Sequence, residues 1–127
     1  MISQRRSFRK STGGKYRKDR KKKLYEAGRM STLTKVSDKI LKKVVRIIGG
    51  NTKAKLFSVN IINVYNPKTK SHAKVKIKKV IENSANGNFV KRNIFNKGAI
   101  LDTDIGSVKV TSRPGQNGSL SGIIIDK

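Results

Sequence analysis

Eleven of the first twenty-three residues are Lys or Arg, and one acid, Asp19, stands among them. The cations are Arg5, Arg6, Arg9, Lys10, Lys15, Arg17, Lys18, Arg20, Lys21, Lys22 and Lys23. A segment charged to this degree repels itself and has almost no apolar surface to bury. Alone it is expected to be disordered, ordering only against a dense polyanion, for which nucleic acid is the obvious candidate. Ser11, Thr12, Gly13 and Gly14 interrupt any helix through its middle, and Tyr16, Leu24, Tyr25 and Ala27 form no continuous apolar stripe further on. Residues 1–29 are therefore expected to be a basic arm, extended, with one or two helical turns when bound.

The excess of charge continues beyond the arm. The chain of 127 residues holds 31 basic and 7 acidic residues, a formal net charge of +24. Residues 1–55 carry net +16 and residues 56–127 net +8. Solubility needs a net charge of only about 2 to 8 on a small domain. A nucleic-acid binder gains from more, because each neutralised phosphate releases condensed counterions and affinity follows the number of such contacts. Cysteine is absent, which excludes disulfides and thiolate metal sites and permits a reducing compartment. No apolar run approaches the roughly 18 residues of a membrane span, and the start of the chain lacks the apolar stretch of a signal peptide. These features predict a soluble intracellular protein with no membrane partner.

Residues 30–41 read as a linker: Leu33, Val36 and Ile40 have helical spacing, but Ser31, Thr32, Thr34 and Ser37 are poor in a helix interior. From Lys42 the pattern turns to short β-rich runs closed by turn residues. They are Lys42–Ile48, Lys55–Tyr65, Ala73–Ile81, Phe89–Phe95, Ala99–Thr103, Ile105–Ser112 and Ser119–Asp126. Lysine alternates with Val75 and Ile77, and polar residues alternate with Val108 and Val110, so each run has one buried and one solvated face. Seven such runs without intervening helices predict an all-β domain over residues 42–127, a small antiparallel barrel-like body.

Candidate chemistry is sparse. His72 lies in a polar turn without the partners that nucleophilic or metal catalysis needs. Asp102 and Asp104 are two apart and can bind Mg²⁺, or hold neighbouring lysines such as Lys97 or Lys109. Gly49-Gly50-Asn51 has neither dinucleotide nor P-loop spacing. It serves as a tight turn alone, or as a turn that brings Arg46, Asn51, Lys53 and Lys55 close to phosphate. Lys91-Arg92-Asn93 is either a solvated strand face or a nucleic-acid face above packed apolar neighbours. Tyr16 and Tyr25 either stack on unpaired bases or anchor the arm. Arg113-Pro114-Gly115-Gln116 fits a type II turn that pairs the last two strands as a hairpin and holds the Arg113 guanidinium outward for phosphate. No metal site, cofactor or small-molecule substrate is expected.

Several motifs then stand in order from end to end. They are Lys10-Ser11-Thr12-Gly13-Gly14-Lys15, Lys21-Lys22-Lys23 leading to Tyr25-Glu26-Ala27-Gly28-Arg29, Gly49-Gly50-Asn51-Thr52-Lys53, Phe89-Val90-Lys91-Arg92-Asn93, Lys97-Gly98-Ala99-Ile100 and Val110-Thr111-Ser112-Arg113-Pro114-Gly115-Gln116-Asn117-Gly118. Together they resemble the small-subunit ribosomal protein family S8e, in its short, archaeal-like form. The resemblance implies a β-barrel-like body, a basic N-terminal extension running along ribosomal RNA, and a structural, non-catalytic role in the ribosome of the cytoplasm, beside neighbouring ribosomal proteins. The chain departs from the family pattern at Ile48 and Thr52, where basic residues are common, at Leu24 in a run that is usually basic, and at Ser37 where glycine is common. A chromatin or architectural DNA-binding protein is the competing class, although no helix-turn-helix, basic zipper or wedge motif is visible. A nucleic-acid-processing enzyme built on Asp102 and Asp104 is a more distant one.

Overall fold

The computed structural model describes residues 2–125 and divides into two compact units, residues 1–31 and 32–127. Asp126, the end of the last expected run, lies outside the described residues.

In the first unit β1 (Ile2–Ser3) pairs antiparallel with β2 (Ala27–Gly28), and the Gln4 N–H donates to the Glu26 carbonyl at 2.8 Å. Residues 8–16 fold back as a tight hairpin, with Arg9 bridging Lys15 and Tyr16 N–H donating to the Phe8 carbonyl at 3.0 Å. Gly13 takes the turn at φ +84°, a conformation glycine adopts without a steric penalty. A single 3₁₀ turn, Leu24–Glu26, precedes β2. Residues expected to run extended are thus folded back on themselves.

The second unit is built on strands. β6 (Ile61–Asn66), β7 (Ser71–Glu82), β9 (Ile100–Thr103), β10 (Gly106–Val110) and β11 (Ser121–Ile124) close into a barrel in the order β10-β11-β6-β7-β9. β3 (Thr34–Val36), β4 (Leu41–Arg46), β5 (Thr52–Val59) and β8 (Ile94–Phe95) form a four-stranded sheet in the order β4-β5-β3-β8. Alternation sets the barrel core: Ile62, Val64, Val75, Ile77, Leu101, Val108 and Val110 point inward, all buried. Each such side chain contributes about 1.5–3 kcal/mol relative to exposure. On β7 the register shifts between Ile77 and Lys79, and this irregularity re-phases the strand so that Val80 is again buried after two consecutive exposed lysines.

Several local expectations are corrected. The β6–β11 seam that closes the barrel is parallel, as is the β3–β5 pair, while the other barrel pairs are antiparallel. The expected run 55–65 is two strands, divided at Asn60. Part of the expected linker is structural: β3 lies between β5 and β8, and the buried Thr34 hydroxyl donates to the Leu56 carbonyl at 2.7 Å. The run Phe89–Phe95 is α1 (Gly87–Lys91) followed by β8. The Asn86 side chain accepts from Asn88 N–H at 2.9 Å and starts this turn of helix. Asn93, at φ +50°, redirects the chain into the strand.

The last hairpin forms as expected, with β10 and β11 antiparallel. Its connection is not a type II turn but a short helix, α2 (Pro114–Asn117), with proline at its first position. The positive φ falls on Gly118 at +63°, not on Gly115. Gly118 is required for a second reason, since a Cβ there would stand 2.4 Å from Ala54 Cβ.

Candidate nucleic-acid interface

In the first unit the cations divide into two groups. Arg5 grips Asp19 through both guanidinium NH groups, the NH1 contact measuring 2.7 Å, and its Nε lies 3.8 Å from Glu26 Oε1. Arg20 donates to Glu26 Oε1 at 2.5 Å, and Lys23 N–H donates to Glu26 Oε2 at 3.3 Å. The hydrogen bond from Arg5 holds the Asp19 carboxyl well below the usual carboxylate range. Burial alone would raise Glu26, but the Lys23 N–H and the Arg20 guanidinium outweigh it, and its pKa is lowered. Arg5 and Arg20 are thus occupied by the carboxylates, and Arg9, although exposed, donates to the Gly13 carbonyl at 3.0 Å within the hairpin. Arg6, Arg9, Lys10, Lys15, Arg17, Lys18, Lys21, Lys22, Lys23 and Arg29 are exposed. Arg6 stacks over the Tyr16 ring at 4.3 Å from its centroid, and Arg20 lies 5.7 Å from that of Tyr25. Phe8, missed in the sequence reading because it stands alone among cations, is also exposed.

The ion pairs carry a pH dependence with a definite sign. Both carboxyls titrate lower in the fold than in the unfolded chain, so their stabilisation is complete above about pH 5 and is lost progressively as pH falls towards the folded values. Amide resonances of residues 2–28 are expected to lose dispersion below about pH 4, while those of the barrel keep theirs. Dispersion unchanged all the way from about pH 5 to about pH 1 would mean that these pairs do not organise the unit.

In the second unit, Lys43 on β4 stands directly opposite Lys55 on β5, and Lys53 lies two residues along on the same face. Arg46 pairs with Thr52 and belongs to the opposite face, so the register separates it from the two lysines with which it was grouped. Asn51 closes the connecting turn, its carbonyl accepting from Ile47 N–H at 2.8 Å. Lys91 and Arg92 are exposed at the end of α1, and Ile94 and Phe95, which follow on β8, are buried. Arg113 is exposed and lines a shallow depression with Lys97. Lys43, Lys74, Lys76 and Lys97 are exposed cations that the sequence did not assign to phosphate, although the alternation of β7 already put Lys74 and Lys76 outward. From residue 39 to residue 81 the sequence holds twelve Lys or Arg and no acid.

The carboxylates and the histidine have structural surroundings. Asp104 pairs with Lys78 at 3.4 Å, rather than with Lys97 or Lys109. His72 lies across the strand from Tyr65, with ring centroids 4.9 Å apart. Among the described residues no group of three or more His, Cys, Asp or Glu is placed to hold a metal ion, and no helix is long and apolar enough to cross a membrane.

A closed five-stranded barrel with an outward cationic surface, joined in sequence to a second cationic unit, defines a small, strongly cationic β-barrel protein. The chain belongs to the ribosomal protein S8e family, whose profile matches residues 3–125. It is similar to the small ribosomal subunit protein eS8 of Methanococcus aeolicus, 48% identical over 126 residues that cover 99% of this chain and 98% of that protein. Similar proteins of the same name occur in Picrophilus torridus, 46% identical over 98% of each chain, and in Sulfolobus acidocaldarius, 44% identical over 92% of this chain and 91% of that one. The family is structural and non-enzymatic.

Proposed function

We propose that this protein is a structural, RNA-binding constituent of the small ribosomal subunit in the cytoplasm. Residues 1–29 act as an arm that neutralises phosphates where RNA helices meet. The β-body docks on RNA shape through Arg46, Asn51, Lys53, Lys55, Lys91, Arg92 and Arg113, with little base-specific readout. Its partners are the ribosomal RNA of the small subunit and the ribosomal proteins beside it. The observation that carries this reading is uncompensated charge: exposed cations outnumber acids in both units, and a polyanion relieves that repulsion while gaining counterion release. Family membership supplies the ribosomal setting.

Sedimentation of a lysate in the organism of origin, with detection of this protein, tests the reading. The protein is expected in small-subunit fractions. Its absence from them would overturn the proposal, and preference for duplex DNA over ribosomal RNA at physiological salt would favour an architectural DNA-binding role instead.

A further inference from the structure

The β4–β5 hairpin is a ribbon whose burial falls off along its length. Leu56 and Val59 are buried, Ala54 and Lys55 half-buried, and Lys53, Thr52, Asn51 and Arg46 exposed. At its apex Gly49 and Gly50 adopt φ of +75° and +74°, and the Ile47 N–H to Asn51 carbonyl bond closes the turn, which makes the apex a defined structure. Ile48 stands there 96% exposed.

An exposed isoleucine is ordinary by itself. Its setting is what carries the argument. Lys43 and Lys55 face each other directly, an arrangement of like charges that weakens a strand pair, and Lys53 adds a third cation to that face. With no acid between Asp38 and Glu82, the sequence around the ribbon offers no local counterion. A polyanion laid along this face removes the repulsion. It also brings the apex to the depth of the bases, where an apolar side chain can leave water against a base face. A protein partner would have to supply several acids beside a socket for one isoleucine, whereas RNA offers the charge and the apolar surface together.

We propose that the β4–β5 ribbon docks on ribosomal RNA with Lys43, Lys53 and Lys55 on phosphates and Ile48 wedged against an unstacked base. The inference rests on the RNA-binding role proposed above. The full chain and its Ile48→Ala and Ile48→Arg variants are bound to small-subunit ribosomal RNA transcribed in vitro, and backbone cleavage by hydroxyl radicals and 2′-hydroxyl acylation are read at each nucleotide. The parent is expected to protect a backbone segment and to raise acylation at one or two nucleotides beside it. Both variants should keep the melting temperature and lose the enhanced acylation. Ile48→Ala should bind about tenfold more weakly, and Ile48→Arg should recover affinity through charge without recovering the enhancement. Enhancement that persists in both variants, or that is absent while the parent protects the RNA, overturns the wedge alone. A parent that gives no protection at all overturns the RNA-binding reading and the wedge with it.

Discussion

Gly122→Ala is expected to lower the melting temperature of the barrel by more than about 10 °C. Gly122 sits on β11 at the seam where the barrel closes, opposite Val110 of β10 on one side and Val64 of β6 on the other. A Cβ there would lie 2.5 Å from Val108 Cγ1, 2.7 Å from the Lys109 carbonyl oxygen and 3.1 Å from Ile62 Cδ1. The valine and isoleucine can yield by rotating, but the carbonyl belongs to the backbone of the adjoining strand. Relief therefore requires the seam to open, with loss of ladder hydrogen bonds and of packing around Val108, which is fully buried. Overpacking of this kind costs about 3 kcal/mol. In a domain of this size that corresponds to a shift of roughly 12–24 °C. Gly87→Ala is the matched control: nothing lies within 4 Å of the added atom, and alanine suits the helix it occupies. Its melting temperature, followed by circular dichroism, should stay within a few degrees of the parent or rise. If Gly122→Ala melts with the parent, the barrel does not close at this strand.

That seam also marks where the sequence stopped being legible. Strands whose partner lies next along the chain announced themselves by alternation, as Val108 and Val110 did on β10 and Val75 and Ile77 on β7. The parallel pairing of β11 with β6 leaves no local sign, because residues 121–124 read Ser-Gly-Ile-Ile, a run without alternation that names neither its partner nor its direction. The segment 89–95 misled for a different reason. Its apolar residues come in adjacent pairs, Phe89-Val90 and Ile94-Phe95, which fit a buried strand as well as a turn of helix leading into one, and the deciding feature was the Asn86 cap. The candidate interface divides in the same way. Cation density was visible residue by residue, but which cations share a face was not: Arg46 and Lys53 separate once the register is fixed, and Lys43 joins Lys55 only through it. The Arg5–Asp19 pair spans fourteen residues and depends on the chain folding back.

The division between occupied and exposed cations shapes the second large effect. Replacing Arg17, Lys18 and Lys22 together by glutamine is expected to weaken binding to ribosomal RNA by roughly 10² to 10³-fold at 0.1 M salt. Each phosphate contact contributes about 0.7–0.9 to the logarithmic salt slope, and so about the same number of decades of affinity between 1 M and 0.1 M salt. Three lost contacts remove about 2 to 3 decades and flatten the slope by about 2 to 3. These residues are chosen because they are exposed and none is a partner of Asp19 or Glu26 in the ion pairs of the first unit. Arg5→Gln changes one charge but also releases Asp19, the arginine's bidentate partner, so it should disturb the amide resonances of residues 2–28 while flattening the slope by no more than one contact's worth. The two substitutions thus separate charge from architecture. A triple variant that binds weakly with the parent's salt slope would mean that these cations support the fold of the first unit and do not themselves meet phosphate.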